Sequence, residues 1–90
     1  MKQIGCKVIV SGHVQNVGFR FYTSREAHKQ GITGHAKNLY NGDVEVVLYG
    51  SYEAVSNMLK WLEKGPATAH VDNIKVSDIA FNETGKFSCL

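Results

Sequence analysis

The dipeptide Asn41-Gly42 lies between two apolar, β-rich segments, and it constrains the fold more than any other feature of the chain. Asn-Gly is the strongest short signal for a hairpin, because the central residues of its tight turn need positive φ. Residues 32–39 and 44–49 are therefore predicted to be neighbouring antiparallel strands. The hairpin lies near the middle of the 90 residues, so the other elements must be arranged on either side of it.

One strand and one helix are predicted before the hairpin. Residues 7–11 are short and rich in β-branched side chains, which is typical of a strand. Residues 19–30 contain no proline or glycine and predict a helix, although their apolar pattern is imperfect. Gly31 can take the left-handed conformation that ends a helix, and His28 and Lys29 suit the negative end of the helix dipole.

A second helix and one or two strands are predicted after the hairpin. Ser51 is a good N-cap, and apolar residues recur at helical spacing up to Leu62. Gly65-Pro66 ends this helix. Residues 71–81 predict a fourth strand, and residues 87–90 a short edge strand.

The resulting order β-α-β-β-α-β indicates the α+β, ferredoxin-like split βαβ sandwich. Its expected form is an antiparallel sheet of four to five strands with two helices on one face, since right-handed crossovers leave few alternatives. The length of the chain predicts a single domain over residues 1–90.

Composition argues against several classes of function. The net charge of +2 is too small for the dense basic stripe of a nucleic-acid binder, and the third predicted strand is aliphatic and acidic rather than basic and aromatic. No apolar run is long enough to span a membrane, and the start of the chain does not read as a signal peptide. We expect no nucleic-acid partner, no membrane association and a cytoplasmic location.

Cysteine and histidine spacing gives no metal-binding pattern. Cys6 and Cys89 lie near opposite ends of the chain, and no CxxC or CxH motif is present. We interpret both cysteines as structural thiols, and a disulfide between them is the alternative. The four histidines are scattered without an i,i+4 pair, so no metal and no cofactor are expected.

The loop between the first strand and the first helix has the composition of a phosphate-binding site. Residues 11–20 carry two glycines, no carboxylate and Arg20. Backbone N–H groups, a helix N-terminus and a guanidinium together favour a bound anion. A cysteine phosphatase would place its nucleophile six residues before the arginine, where Val14 stands, and the Gly-Lys-Ser/Thr of a kinase P-loop is missing. His13 is the one candidate nucleophile, and a packing or solvent role is favoured for it.

Two segments of the chain together resemble the signatures of the acylphosphatase family. Residues 12–20, GHVQNVGFR, are similar to the signature before that family's first helix. Residues 37–44, KNLYNGDV, are similar to its second signature, and Gly50 follows at the expected place. Both segments occur in the right order, and the resemblance extends from residue 7 to residue 87. Asn16 departs from the pattern where glycine is usual, and His35 where a large aromatic is usual.

The resemblance implies hydrolysis of small-molecule acyl phosphates to a carboxylate and inorganic phosphate. Arg20 would bind the phosphoryl oxygens and Asn38 would orient the attacking water, without metal or other cofactor. Asparagine at position 16 is the non-glycine residue that best tolerates positive φ. A non-catalytic anion-binding module of the same fold is the alternative, and a monomer is expected. The residues predicted to hold the phosphate are Gln15, Asn16, Val17, Gly18, Phe19 and Arg20.

Overall fold

The computed structural model describes residues 2–90 and has the predicted α+β, ferredoxin-like architecture, with two helices on one face of a sheet. The helices begin and end close to the predicted residues. In chain order, the elements are β1 (Gln3–His13), α1 (Phe19–Gln30), β2 (Thr33–Asn38), β3 (Val44–Ser51), α2 (Tyr52–Lys64), β4 (His70–Ile79) and β5 (Phe87–Cys89).

The sheet has the strand order β4-β1-β3-β2-β5, so β3 is central. The first four strands pair antiparallel, as predicted. The prediction of a wholly antiparallel sheet needs one correction: β5 runs parallel to β2, which makes the sheet mixed. Strand β1 is longer than the predicted 7–11, because it pairs with β3 on one side and with β4 on the other.

The hairpin between β2 and β3 is present, but its turn is not the predicted two-residue type. Gly42 has a φ of 96°, whereas Asn41 does not have positive φ. The loop spans residues 39–43, with the Leu39 amide donating to the Asp43 carbonyl at 2.9 Å. The Asn41 side chain instead accepts from the Asp43 amide at 3.0 Å, so asparagine stabilises the longer loop through its side chain.

The core lies between the sheet and the two helices. Alternate residues of β1 and β3 face it, as period-two strands require. Helix α1 buries residues spaced four apart, and α2 buries a stripe at helical spacing. The fully buried apolar side chains include Val8, Val10, Phe19, Val44, Val46, Leu48, Val55, Met58 and Leu62.

The topology brings two loops to the same edge of the sheet. Val44, at the start of β3, pairs with Val10 of β1 on one side and with Asn38 of β2 on the other. The loop that follows β1 and the end of β2 therefore flank the same point of the sheet. This arrangement places residues 14–18 near Asn38, although 20 or more residues separate them in the sequence.

Candidate active site

A cavity of about 320 Å³ lies at this edge, between the end of β2 and the N-terminus of α1. Its size is at the lower end of the range for small-molecule sites. It brings together four of the residues predicted to bind phosphate, Asn16, Gly18, Phe19 and Arg20, with Asn38. The full lining is Val14, Asn16, Gly18, Phe19, Arg20, Phe21, Asn38 and Cys89.

The N-terminus of α1 opens into this cavity and carries no side-chain cap. Gly18 is the N-cap residue, in the left-handed conformation with φ 78°, and the first turn contains no acidic residue. Within residues 2–90, the first amide of the helix to reach a backbone carbonyl is that of Tyr22, which donates to Gly18 at 3.0 Å. The preceding N–H groups and the positive end of the helix dipole can therefore serve an anion.

Asn16 has a left-handed backbone conformation, which glycine adopts more readily than any other residue. Its φ is 63°, and it is the one non-glycine residue among residues 2–90 with positive φ. The left-handed region costs asparagine less conformational energy than it costs most other non-glycine residues. Asn16 therefore does have the positive φ that the sequence analysis considered for this position.

Arg20 lies in the first turn of α1 and lines the cavity. Its guanidinium donates one hydrogen bond to the backbone carbonyl of Leu90, and its own carbonyl accepts from the Cys89 thiol at 3.4 Å. A guanidinium has five N–H donors in a planar fork, so this contact leaves donors for an anion. The chain after β5 thus holds the arginine at the edge of the cavity.

Asn38 is the last residue of β2 and lies on the helix side of the sheet. Lys37 is exposed on the opposite face, as strand alternation predicts. The Oδ1 atom of Asn38 is buried and has no hydrogen-bond partner among residues 2–90. A buried polar atom without a partner is costly. Here that atom belongs to a cavity-lining side chain, and it is an acceptor suited to a water molecule.

Gln15 and Val17 do not line the cavity, so the prediction that their amides hold the phosphate stays a prediction. The Gln15 side chain donates to the carbonyls of Leu39 and Asp43 at 2.7 and 2.8 Å. The Val17 carbonyl accepts from the Thr68 hydroxyl at 2.7 Å. The Gln15 contacts tie the loop to the hairpin that follows Asn38, and the Val17 contact ties it to the segment between α2 and β4.

Three features of the site were missed by sequence reasoning. Phe21 follows Arg20 directly in the sequence. Its place in the first turn of the predicted helix could therefore have indicated that it lies beside the site. Cys89 reaches the cavity through the pairing of β5 with β2, which no local pattern indicates. The double hydrogen bond of Gln15 depends on how two distant loops meet, and its residue type alone does not reveal it.

His13 is exposed at the end of β1, where it pairs with His70, and it does not line the cavity. This placement agrees with its favoured non-catalytic reading. Across the described chain, histidine, cysteine, aspartate and glutamate side chains form no group of three that could hold a metal ion. No helix within residues 2–90 has the length and apolar character needed to cross a membrane.

Two ionisable side chains away from the cavity, Glu45 and Cys6, have shifted pKa values. The hydrogen bond from His35 lowers the pKa of Glu45 on the sheet face opposite the helices, although burial opposes it, and Lys7 adds to the lowering. Because this pKa is lower in the folded chain, the interaction stabilises the fold above the ordinary carboxyl pKa and is lost as pH falls through the lowered value. Burial, with a smaller effect from Asp78, raises the pKa of Cys6. Both cysteines are free thiols, with Cys6 buried and Cys89 exposed.

A second, shallower cleft of about 410 Å³ lies between α1 and the segment that follows α2. Its lining includes Tyr22, Arg25, Trp61 and Thr68, but neither Arg20 nor Asn38. Its larger volume therefore does not make it the better candidate for phosphate chemistry.

Comparison with known sequences gives a consistent result over almost the whole chain. The family model described as Acylphosphatase matches residues 6–89. A curated protein named acylphosphatase from Psychromonas ingrahamii is 61% identical over 87 residues, which cover 97% of each chain.

Comparison with solved structures agrees. The structure of an acylphosphatase from Coxiella burnetii matches with a TM-score of 0.93 at 34% identity, covering 98% of this chain and 93% of that one. The crystal structure of acylphosphatase from Bacillus subtilis matches with a TM-score of 0.89 at 30% identity, covering 97% and 98%.

Proposed function

The chain belongs to the acylphosphatase family, and from that premise we propose how its own residues hydrolyse an acyl phosphate. The relatives support an acylphosphatase enzyme that acts on small-molecule acyl phosphates. The roles of individual residues and independence from metal are our proposals. The observation that carries them is the shared cavity of Arg20, the uncapped N-terminus of α1 and the unpartnered Oδ1 of Asn38.

The phosphoryl group would bind at the N-terminus of α1. Amides of the loop and of the first helical turn donate to its oxygens, and the dipole of α1 favours its charge. Arg20 adds a charge-assisted contact from the side of β5. These donors are fixed before substrate arrives, because Gly18 and Asn16 hold the loop in left-handed conformations and Gln15 ties it to the hairpin. Such fixed donors stabilise the charge that spreads over the phosphoryl oxygens in the transition state.

Asn38 would orient the attacking water. Its Oδ1 accepts a hydrogen bond from the water, whose oxygen then forms a bond to phosphorus. The bond between phosphorus and the bridging oxygen breaks, and its electron pair leaves with the carboxylate. Asparagine is neutral at ordinary pH and is not a base, so the proton released by the water passes to a phosphate oxygen. The products are one carboxylate and one dihydrogen phosphate ion.

The leaving group explains why this short list of residues is sufficient. A carboxylate leaves readily without protonation, so the site needs no strong general acid. Positioning and electrostatic stabilisation are the main requirements of phosphoryl transfer. The proposal therefore assigns no catalytic role to a metal or to His13, and it describes a cytoplasmic enzyme that acts as a monomer.

The experiment that tests this function measures hydrolysis of acetyl phosphate by the purified protein, with and without EDTA. We expect release of acetate and phosphate at a rate that EDTA does not change. In ¹⁸O-labelled water, one labelled oxygen should appear in phosphate. Loss of activity in EDTA would contradict metal independence, and label in acetate would contradict attack at phosphorus. Binding of phosphate without hydrolysis would favour the anion-binding module.

A further inference from the structure

Phe21 is a large apolar side chain that the fold leaves exposed beside the candidate site. It is 59% exposed, whereas the other two large apolar residues of the cavity lining, Val14 and Phe19, are buried. Exposed aromatics in isolation are common and need no explanation. Phe21 differs because it lines the same cavity as Arg20 and Asn38.

The ring of Phe21 is held in place by two neighbours on α1. It packs edge-on against Tyr22, with ring centroids 5.4 Å apart and an interplanar angle of 73°. The guanidinium of Arg25, one helical turn later, lies 5.9 Å from the ring centroid. An aromatic side chain with few rotatable bonds and two such neighbours loses little conformational entropy when a ligand packs on it.

The volume of the cavity leaves room beyond a phosphoryl group. A site of about 320 Å³ can hold a small organic molecule, and a phosphoryl group seated at the N-terminus of α1 would fill only part of it. The polar lining residues Asn16, Arg20 and Asn38 serve the phosphoryl end. Phe21 is therefore the exposed apolar surface left for the rest of the substrate.

We propose that Phe21 forms the acyl-group subsite and that the enzyme prefers aromatic or other large apolar acyl phosphates over small ones. This inference rests on the function proposed above and names its substrate class. An aromatic acyl group can stack on the Phe21 ring and remove apolar surface from water, whereas an acetyl group is too small to cover it. Phe21 is thus a specificity-determining residue, and it takes no part in bond breaking.

The test compares benzoyl phosphate with acetyl phosphate in the wild-type protein and in Phe21→Ala. We expect the ratio of the two kcat/KM values, benzoyl over acetyl, to fall about tenfold in the variant. The different reactivities of the two acyl phosphates cancel, because the same ratio is compared between proteins. Phe21→Tyr should retain the wild-type ratio, since it keeps the ring.

Phe81→Ala is the matched control. Phe81 is also exposed, at 38%, and also packs edge-on against a tyrosine, Tyr49, at 5.9 Å. It follows β4 at the opposite end of the sheet, where Ile79 pairs with Gly5. This variant should leave the ratio unchanged. An unchanged ratio in Phe21→Ala, whether both kcat/KM values stay the same or fall equally, would overturn the proposal.

A binding measurement separates this inference from the proposed function. Benzylphosphonate and methylphosphonate are not hydrolysed, and their affinities can be measured by NMR titration. Wild-type protein should bind benzylphosphonate more tightly, and Phe21→Ala should lose that preference while still binding methylphosphonate. If the wild-type protein hydrolyses neither acyl phosphate but shows this loss, the enzyme assignment fails and the subsite stands. Equal affinities in the wild-type protein would overturn the subsite.

Discussion

The two helices of this protein begin in opposite ways. At the start of α2, the Ser51 hydroxyl accepts from the Ala54 amide at 3.1 Å, and Glu53 lies in the first turn. At the start of α1, Gly18 offers no side chain, the first turn has no acidic residue, and Arg20 contributes positive charge. Both helices pack on the same face of one sheet, so their N-termini can be compared directly.

The comparison separates a helix end that is capped within the chain from one that we propose stays open for a ligand. A cap and an acidic residue satisfy the free amides and the dipole of α2 within the chain. The same groups of α1 remain available at the cavity that contains Asn38. Helix α1 lacks a capping interaction worth about 1 kcal/mol. Its first backbone N–H groups therefore stay free to donate to an anion.

The largest effect should come from removing the charge at the open helix end. Arg20→Ala should lower kcat/KM for an acyl phosphate by at least about 1000-fold, since a fixed donor of the transition state is lost. The free energy of unfolding should change by less than about 1 kcal/mol, because the hydrogen bond from Arg20 to Leu90 is at the surface. Arg20→Lys is the control: it keeps the charge without the planar fork and should recover only part of the activity. Near-normal turnover in Arg20→Ala would remove the basis for the assigned phosphate site.

The next effect separates attack by water from binding at the helix end. Asn38→Ala should lower kcat about 100-fold, because the water loses its acceptor. Affinity for inorganic phosphate should stay close to that of the wild-type protein, since the donors of α1 are unchanged. Steady-state kinetics and phosphate titration measure the two quantities. If turnover stayed near normal, the role given to Asn38 would be wrong.

A backbone change at the N-cap of α1 should have a smaller effect on activity. In Gly18→Ala, the left-handed φ of 78° costs about 1–2 kcal/mol, and the new Cβ would lie 3.3 Å from the Tyr22 ring. A shift of the loop should lower kcat/KM about tenfold. Gly31→Ala is the matched control, because Gly31 has a φ of 72° at the other end of α1 and no atom within 4 Å of the added Cβ. Gly31→Ala should lower the free energy of unfolding by a similar amount and leave kcat/KM unchanged. If both variants lost the same activity, the loss in Gly18→Ala would be due to global destabilisation.

The smallest effect on activity should come from the capped helix. Ser51→Ala should lower the free energy of unfolding by about 1 kcal/mol, because the Ala54 amide loses its acceptor. Its kcat/KM should match that of the wild-type protein. Ser51→Asp should restore the stability, since aspartate also caps a helix. Chemical denaturation and the kinetic assay together decide this point, and a loss of activity without a loss of stability would break the contrast between the two helices.

Local sequence patterns predicted the helices and strands well. Gly31 and Ser51 marked helix ends because their roles depend on a few neighbouring residues. The parallel pairing of β5 with β2 did not follow from any local pattern, since it is set by which sheet edge remains free. For the same reason, the contact of Arg20 with Leu90 and the reach of Gln15 to the hairpin were not predicted. The Asn41-Gly42 turn was misjudged because asparagine acts there through its side chain.

The contrast between the helix ends is tested most directly by NMR titration of the ¹⁵N-labelled protein with inorganic phosphate. The shifts of amide signals report which helix N-terminus receives the anion. We predict saturable shifts for the amides of residues 16–21, together with the side-chain amide of Asn38, and no shifts for residues 52–54 of α2. Equal shifts at both helix ends, or shifts confined to α2, would contradict the account.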